Sequence, residues 1–223
     1  MKRIWQADWS CNKKDIFMLP LLVAAMGVLG ILGVMIILHF EDAEDYVLMG
    51  TLMALFTGFL VMPALSGLKY SSWWRLSGTM GVTRKAFFSY MLLRQLGIVT
   101  LSYGVLLLLL HGETGLYGRL YPALPNLTDL TDLSRFSVAA VMIGASVILQ
   151  LLLGTLAVQF GSQGVGISQI ILMGSFWAVT ISDEVRERVL AVENQTWLVL
   201  AIAALAASAV TIFLITRKMT VKS

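Results

Sequence analysis

Few residues in this chain have the types and spacing to do chemistry. There is no Gly-x-x-x-x-Gly-Lys-Ser/Thr run, so the chain does not hold ATP through a P-loop. A Gly-x-Ser-x-Gly elbow and a His-Glu-x-x-His pair are also missing. Glu41 and Glu113 follow His39 and His111 closely, but the histidine spacing of a metal site is not there. A structural role at the ends of apolar stretches fits both histidines better. Cys11 is the single cysteine, which excludes an intrachain disulfide and a cysteine-based metal cage. The residue that stands out is Arg94, a charge inside an apolar stretch. Such a charge is a candidate functional residue by default, here a possible intramembrane polar site. Gln95 adjoins it, and Gln150 or Gln159 can reach its level. Snorkelling of the guanidinium toward the headgroups is the competing structural reading. The apolar stretches contain no carboxylate, which argues against a proton- or sodium-driven carrier.

These residues are positioned by six apolar stretches, roughly 18–38, 47–68, 87–110, 136–160, 167–181 and 197–215. A bilayer core requires about 20 apolar residues per helix. Five stretches meet that length, and the fifth in order is shorter. Hydrophobic residues make up 58% of the chain and charged residues 13%, with a mean hydropathy of +0.83. A soluble domain would carry about a quarter charged residues. No linker or soluble domain is left over, so residues 1–223 read as a single all-α transmembrane domain.

Charge sorting sets the topology. Lys2, Arg3, Lys13 and Lys14 precede the first stretch. Lys69, Arg75, Arg84 and Lys85 follow the second, and Arg217, Lys218 and Lys222 close the chain. With six spans these three groups share one side. The other side has eleven acids and four basic residues, Arg119, Arg135, Arg186 and Arg188. The positive-inside rule then puts both termini in the cytoplasm. The net charge of +3 follows from this sorting and forms no nucleic-acid surface. The first apolar run is full length and lacks a small-residue cleavage site, so a retained span is expected.

Four flanking features carry further expectations. Residues 1–17 mix Trp5 and Trp9 with lysines and predict an N-terminal interfacial helix, a plain aromatic belt being the alternative. Gly27, Gly30 and Gly33, and the alanines between Ala201 and Ala209, suit close helix packing. Pro63 should kink or loosen the second span. Residues 182–195 read as an outer amphipathic helix or a solvated hairpin, and the glycine-rich run 161–166 as a tight turn.

The loop over 69–86 is the most informative. Ser71 or Ser72 can cap a short helix through Leu76 that ends near Gly78 or Gly81, and Thr83 can cap the next helix. Trp73, Trp74 and Arg75 would then form an exposed aromatic and basic surface suited to a protein partner. An interfacial hairpin with ordinary anchors is the alternative.

The segment WWRLSGTMGVTRKAFFSYMLLRQL, residues 73–96, resembles the cytoplasmic loop of ABC-2 type transporter permeases. In that family a short helix leads into a Leu-Pro-x-Ser/Thr-Arg-Lys-like turn and a helix that re-enters the membrane. The match here is Met80-Gly81-Val82-Thr83-Arg84-Lys85, with Gly81 where the family often has proline. Six spans, cytoplasmic termini and a basic N-terminal segment fit the same layout. The resemblance implies a membrane subunit in the bacterial plasma membrane, paired with an identical or different second permease subunit. ATP and Mg would be bound by separate ABC ATPase subunits, with no cofactor and no catalysis in this chain. It also implies a coupling helix, carried over onto Ser72, Trp73, Trp74, Arg75, Leu76, Thr83, Arg84 and Lys85. The expected substrate is amphipathic or apolar, such as an antimicrobial or cytolytic peptide. A non-transporting immunity, sensor or assembly subunit is the alternative.

Overall fold

The computed structural model describes residues 2–40, 45–128 and 130–181. The sixth apolar stretch, its alanines and the expected outer helix over 182–195 lie outside the described residues. What is described is helical: α1 (Lys2–Phe40), α2 (Met49–Phe56), α3 (Met62–Thr79), α4 (Arg84–Leu120) and α5 (Phe136–Ile181). A π-helical turn, Thr57–Val61, joins α2 to α3, and a 3-10 turn, Thr131–Ser134, precedes α5. Among the described residues, four segments are long and apolar enough to cross a membrane: Ile16–Phe40, Met49–Thr79, Arg84–Leu120 and Phe136–Gly161.

Two apolar clusters hold the bundle together. One gathers Leu48, Leu106, Leu110, Tyr117 and Leu133 around α1, α2 and α4. The other gathers Tyr70, Trp74, Phe87, Tyr90, Met91 and Leu151 between α3, α4 and α5. Outside them, Phe17, Leu21, Leu29, Ile36, Leu93 and Leu108 are exposed. An apolar exterior of that extent is a liability in water and the ordinary outer face in hydrocarbon.

Glycine permits the closest approaches. A Cβ on Gly30 would lie 2.8 Å from Gly50 Cα, and one on Gly67 would lie 3.0 Å from Leu153 Cβ. Gly33 faces open space, so only part of the expected glycine stripe packs. At the other end of the bundle from Gly81, two loops pair across a single β-bridge, Tyr46 with Asn126. Tyr46 N donates to Pro125 O at 3.1 Å, and Leu127 N donates to Tyr46 O at 3.0 Å.

Several boundaries differ from expectation. The helix over the first residues continues through Pro20 into the first span without a break, so no separate N-terminal helix is formed. α4 runs ten residues past Leu110, which draws Glu113 out of the expected loop and into the bundle. The turn expected over 161–166 is reduced to Gly161, at φ 66° and ψ −155°, with helix on both sides. Pro63 acts as expected, with a specific geometry. Proline has no N–H to give the preceding turn, and its ring crowds the carbonyl four residues back. The π-helical turn directly before it is the wider local winding that accommodates such a defect.

Candidate functional site

The Gly81 end is built by a Schellman motif. Gly81 N donates to Gly78 O at 3.2 Å and Val82 N to Ser77 O at 3.0 Å. Gly81 has φ 66°, a left-handed conformation that proline cannot adopt. Glycine where the resembled family often has proline therefore marks a different turn. Thr83 then opens α4: its Oγ1 accepts from Ala86 N at 3.3 Å.

The helix break expected before Ser72 is absent. Residues 72–77 are the last turns of α3, and Ser71 Oγ donates to Leu68 O at 2.9 Å within that helix. Trp73 and Trp74 also differ from the expected exposed pair, because both are buried. The tight turn brings α4 straight back along α3. Phe87 then meets Trp74 and Tyr70 edge to face, at 5.2 Å in each case. Ser72, Arg75, Leu76, Thr83, Arg84 and Lys85 remain exposed. The predicted residues thus divide into an exposed basic tip and an aromatic core that fixes the tip to α4.

Further along the same helices lies a buried polar layer. Arg94 is 5% exposed. It falls on one helical stripe with Met91, Gln95 and Ile98, all buried, so the guanidinium is carried into the bundle and does not snorkel. Gln95 and Gln150 are both 0% exposed, whereas Gln159 is exposed and does not join them. Both heteroatoms of each buried amide, together with Ser66 Oγ, have no hydrogen-bond partner among the described residues.

Helix register puts these three residues at similar depth in the bundle. Phe87 sits opposite Tyr70 and Trp74. From there Gln95 is about 12 Å along α4 and Ser66 about 9 Å back along α3, at 1.5 Å per residue. Gly67 and Tyr70 contact Leu153 and Gly154 of α5, which puts Gln150 beside the turn that holds Ser66. One turn further from the Gly81 end, Met62, Val99 and Ser146 line one shared pocket with about 30 Å³ of internal space. They precede Ser66 and Gln150 by four residues and follow Gln95 by four, so helix periodicity continues the three faces that meet at the pocket to the level of Ser66, Gln95 and Gln150.

The sequence reading missed the role of Glu113. α2 begins after Leu48, whose side chain cannot cap it. Glu113 of α4, 1% exposed, supplies the cap from a distance. Gly50 N donates to its Oε1 at 2.9 Å, and Thr51 N and Thr51 Oγ1 each donate to its Oε2 at 2.8 Å. Free N–H groups and a positive dipole end suit a carboxylate there. The available signal was a helix start with no Ser, Thr, Asp or Asn at its cap. Beside it, Tyr117 Oη donates to Ile31 O at 3.2 Å and ties α4 to α1. His111 Nδ1 lies 2.8 Å from Leu107 O of its own helix.

The fold defines a class: the described residues form helices joined by short loops and contain four potential membrane spans, which points to a membrane protein. Comparison with protein-family models, curated proteins and solved structures gives no match.

Proposed function

We propose that this chain is the membrane subunit of an ATP-driven exporter of amphipathic or apolar substrates, working with separate ATPase subunits and a second permease subunit. The reading rests on the resemblance of residues 73–96 to the ABC-2 permease loop. The observation that carries it furthest is the exposed basic tip seated on a rigid aromatic core. Arg75, Arg84 and Lys85 are accessible to a partner, while Trp74 and Phe87 tie the same turn to α3 and α4. A push on the tip is therefore delivered to packed helices rather than dissipated in a loose loop. In this reading the buried tryptophans transmit force, and the exposed cations make the contact.

The test is co-purification with a candidate P-loop ATPase, sought among the products of the genes that neighbour this one. The wild type should hold the ATPase in detergent. Arg75→Glu/Arg84→Glu should release it without lowering the permease melting temperature. A folded wild type that retains no ATPase would overturn the exporter reading and favour a non-transporting membrane subunit.

A further inference from the structure

We propose that Ser66, Gln95 and Gln150 form an occluded intramembrane binding site for a neutral peptide amide. This deepens the exporter reading, and its assignment as a substrate site rests on that reading.

Burial of an amide without partners opposes folding, and apolar side chains of similar size would pack there without that cost. This layer contains two such amides and a hydroxyl, all nine-tenths or more buried. They come from three different helices, so no local backbone requirement accounts for them. Each amide presents a donor and an acceptor together, and the hydroxyl does the same. A ligand that satisfies them must offer both. A carboxylate or phosphate has only acceptors and would leave both amide oxygens unmet. A cation offers no acceptor and would meet the guanidinium of Arg94 beside Gln95. The peptide group, one N–H and one C=O, meets the requirement.

The surroundings match the rest of such a ligand. One turn away, Met62 of α3, Val99 of α4 and Met142 of α5 line an apolar pocket with Val23 of α1, Leu55 of α2 and Phe59 of the π-helical turn. Its internal space is about 30 Å³. Ser66, Gln95 and Gln150 are themselves buried, so the site is closed in this conformation, and a ligand reaches it only when α3, α4 and α5 part. The π-helical turn beside the pocket, Thr57–Val61, marks where the α2–α3 ladder is already irregular.

The experiment uses the full chain alone in lipid nanodiscs. The probe is an N-acetylated, C-amidated tetraleucine carrying one diazirine photoleucine, and the control is its backbone-ester analogue, which lacks the corresponding N–H donors. Wild type should be labelled by the amide probe on the segments around Ser66, Gln95 and Gln150. The ester should label about tenfold less, the equivalent of one lost hydrogen bond of roughly 1.4 kcal/mol. Gln95→Leu/Gln150→Leu should lose labelling while its melting temperature stays at or above wild type. Equal labelling by amide and ester, equal labelling of wild type and variant, or labelling only at the outer apolar faces would each overturn the site. Because no ATPase is present, the two readings fail separately. Labelling that follows the amides with no ATPase bound keeps the site and removes the exporter. ATPase binding with indifferent labelling does the reverse.

Discussion

Two buried polar regions lie along α4, some 18 residues apart, and they solve opposite problems. Around Glu113 every oxygen has a donor: two backbone N–H groups and one hydroxyl from the start of α2. Around Gln95 the amides have none among the described residues. The first region is complete within the chain and reads as a structural clamp. The second is incomplete within the described chain and reads as a place that something else completes. Burial is the same in both, so burial does not separate structure from function here. Satisfaction of hydrogen bonds does.

The sharpest way to break this contrast is at the clamp. Glu113→Ala removes the carboxylate and leaves two backbone N–H groups and a hydroxyl buried without partners. The expected cost is about 3 kcal/mol, since hydrogen bonds to a charged group are worth more than neutral ones and orphaned donors add their desolvation. A melting curve in detergent, with intrinsic fluorescence of the tryptophans near α3, reads it. Glu113→Gln keeps one acceptor oxygen and should recover part of the loss. If Glu113→Ala melts with the wild type, the carboxylate is no clamp and the contrast between the two regions collapses.

A smaller effect sharpens the same point. Thr51→Val retains the shape and the backbone N–H but removes the hydroxyl donor to Oε2. It should destabilise by about 1 kcal/mol, the worth of a single buried hydrogen bond. A double-mutant cycle with Glu113→Ala should show strong coupling, because that variant removes the bond the two side chains share. Additive losses would mean that the hydroxyl is satisfied elsewhere.

What could be seen in the sequence depended on range. Local signals were legible. Thr83 as a cap, a helix end at one of the nearby glycines and the disturbance at Pro63 all follow from residues within a turn of each other. The apolar stretches fixed the helices for the same reason. Tertiary consequences were not legible. Trp73 and Trp74 beside Arg75 look like an exposed recognition patch until Phe87 returns across the Gly81 turn and covers them. Glu113 looks like one more outer acid because its partners, Gly50 and Thr51, are more than sixty residues away. Arg94 was noticed by its charge, with Gln150 or Gln159 as companions, and of those two only Gln150 is buried. Burial itself depends on helices far apart in sequence and was not legible.

The smallest expected effect is the most discriminating. Gln95→Leu/Gln150→Leu replaces two buried amides with apolar side chains of similar volume. If the amides were structural, paired with each other or with the rest of the bundle, their loss would destabilise the protein as the Glu113 variant does. If they await a ligand, the resting protein loses no hydrogen bond and gains apolar packing. Replacing polar partners by apolar groups of the same shape is nearly neutral or stabilising. The expected melting temperature is therefore equal to or slightly above that of wild type. The sign carries the argument: a stable but non-binding double variant belongs to a site held at some cost to the fold, whereas a clear fall in stability would make the layer a second clamp. The two regions of α4 would then differ only in how their bonds are drawn.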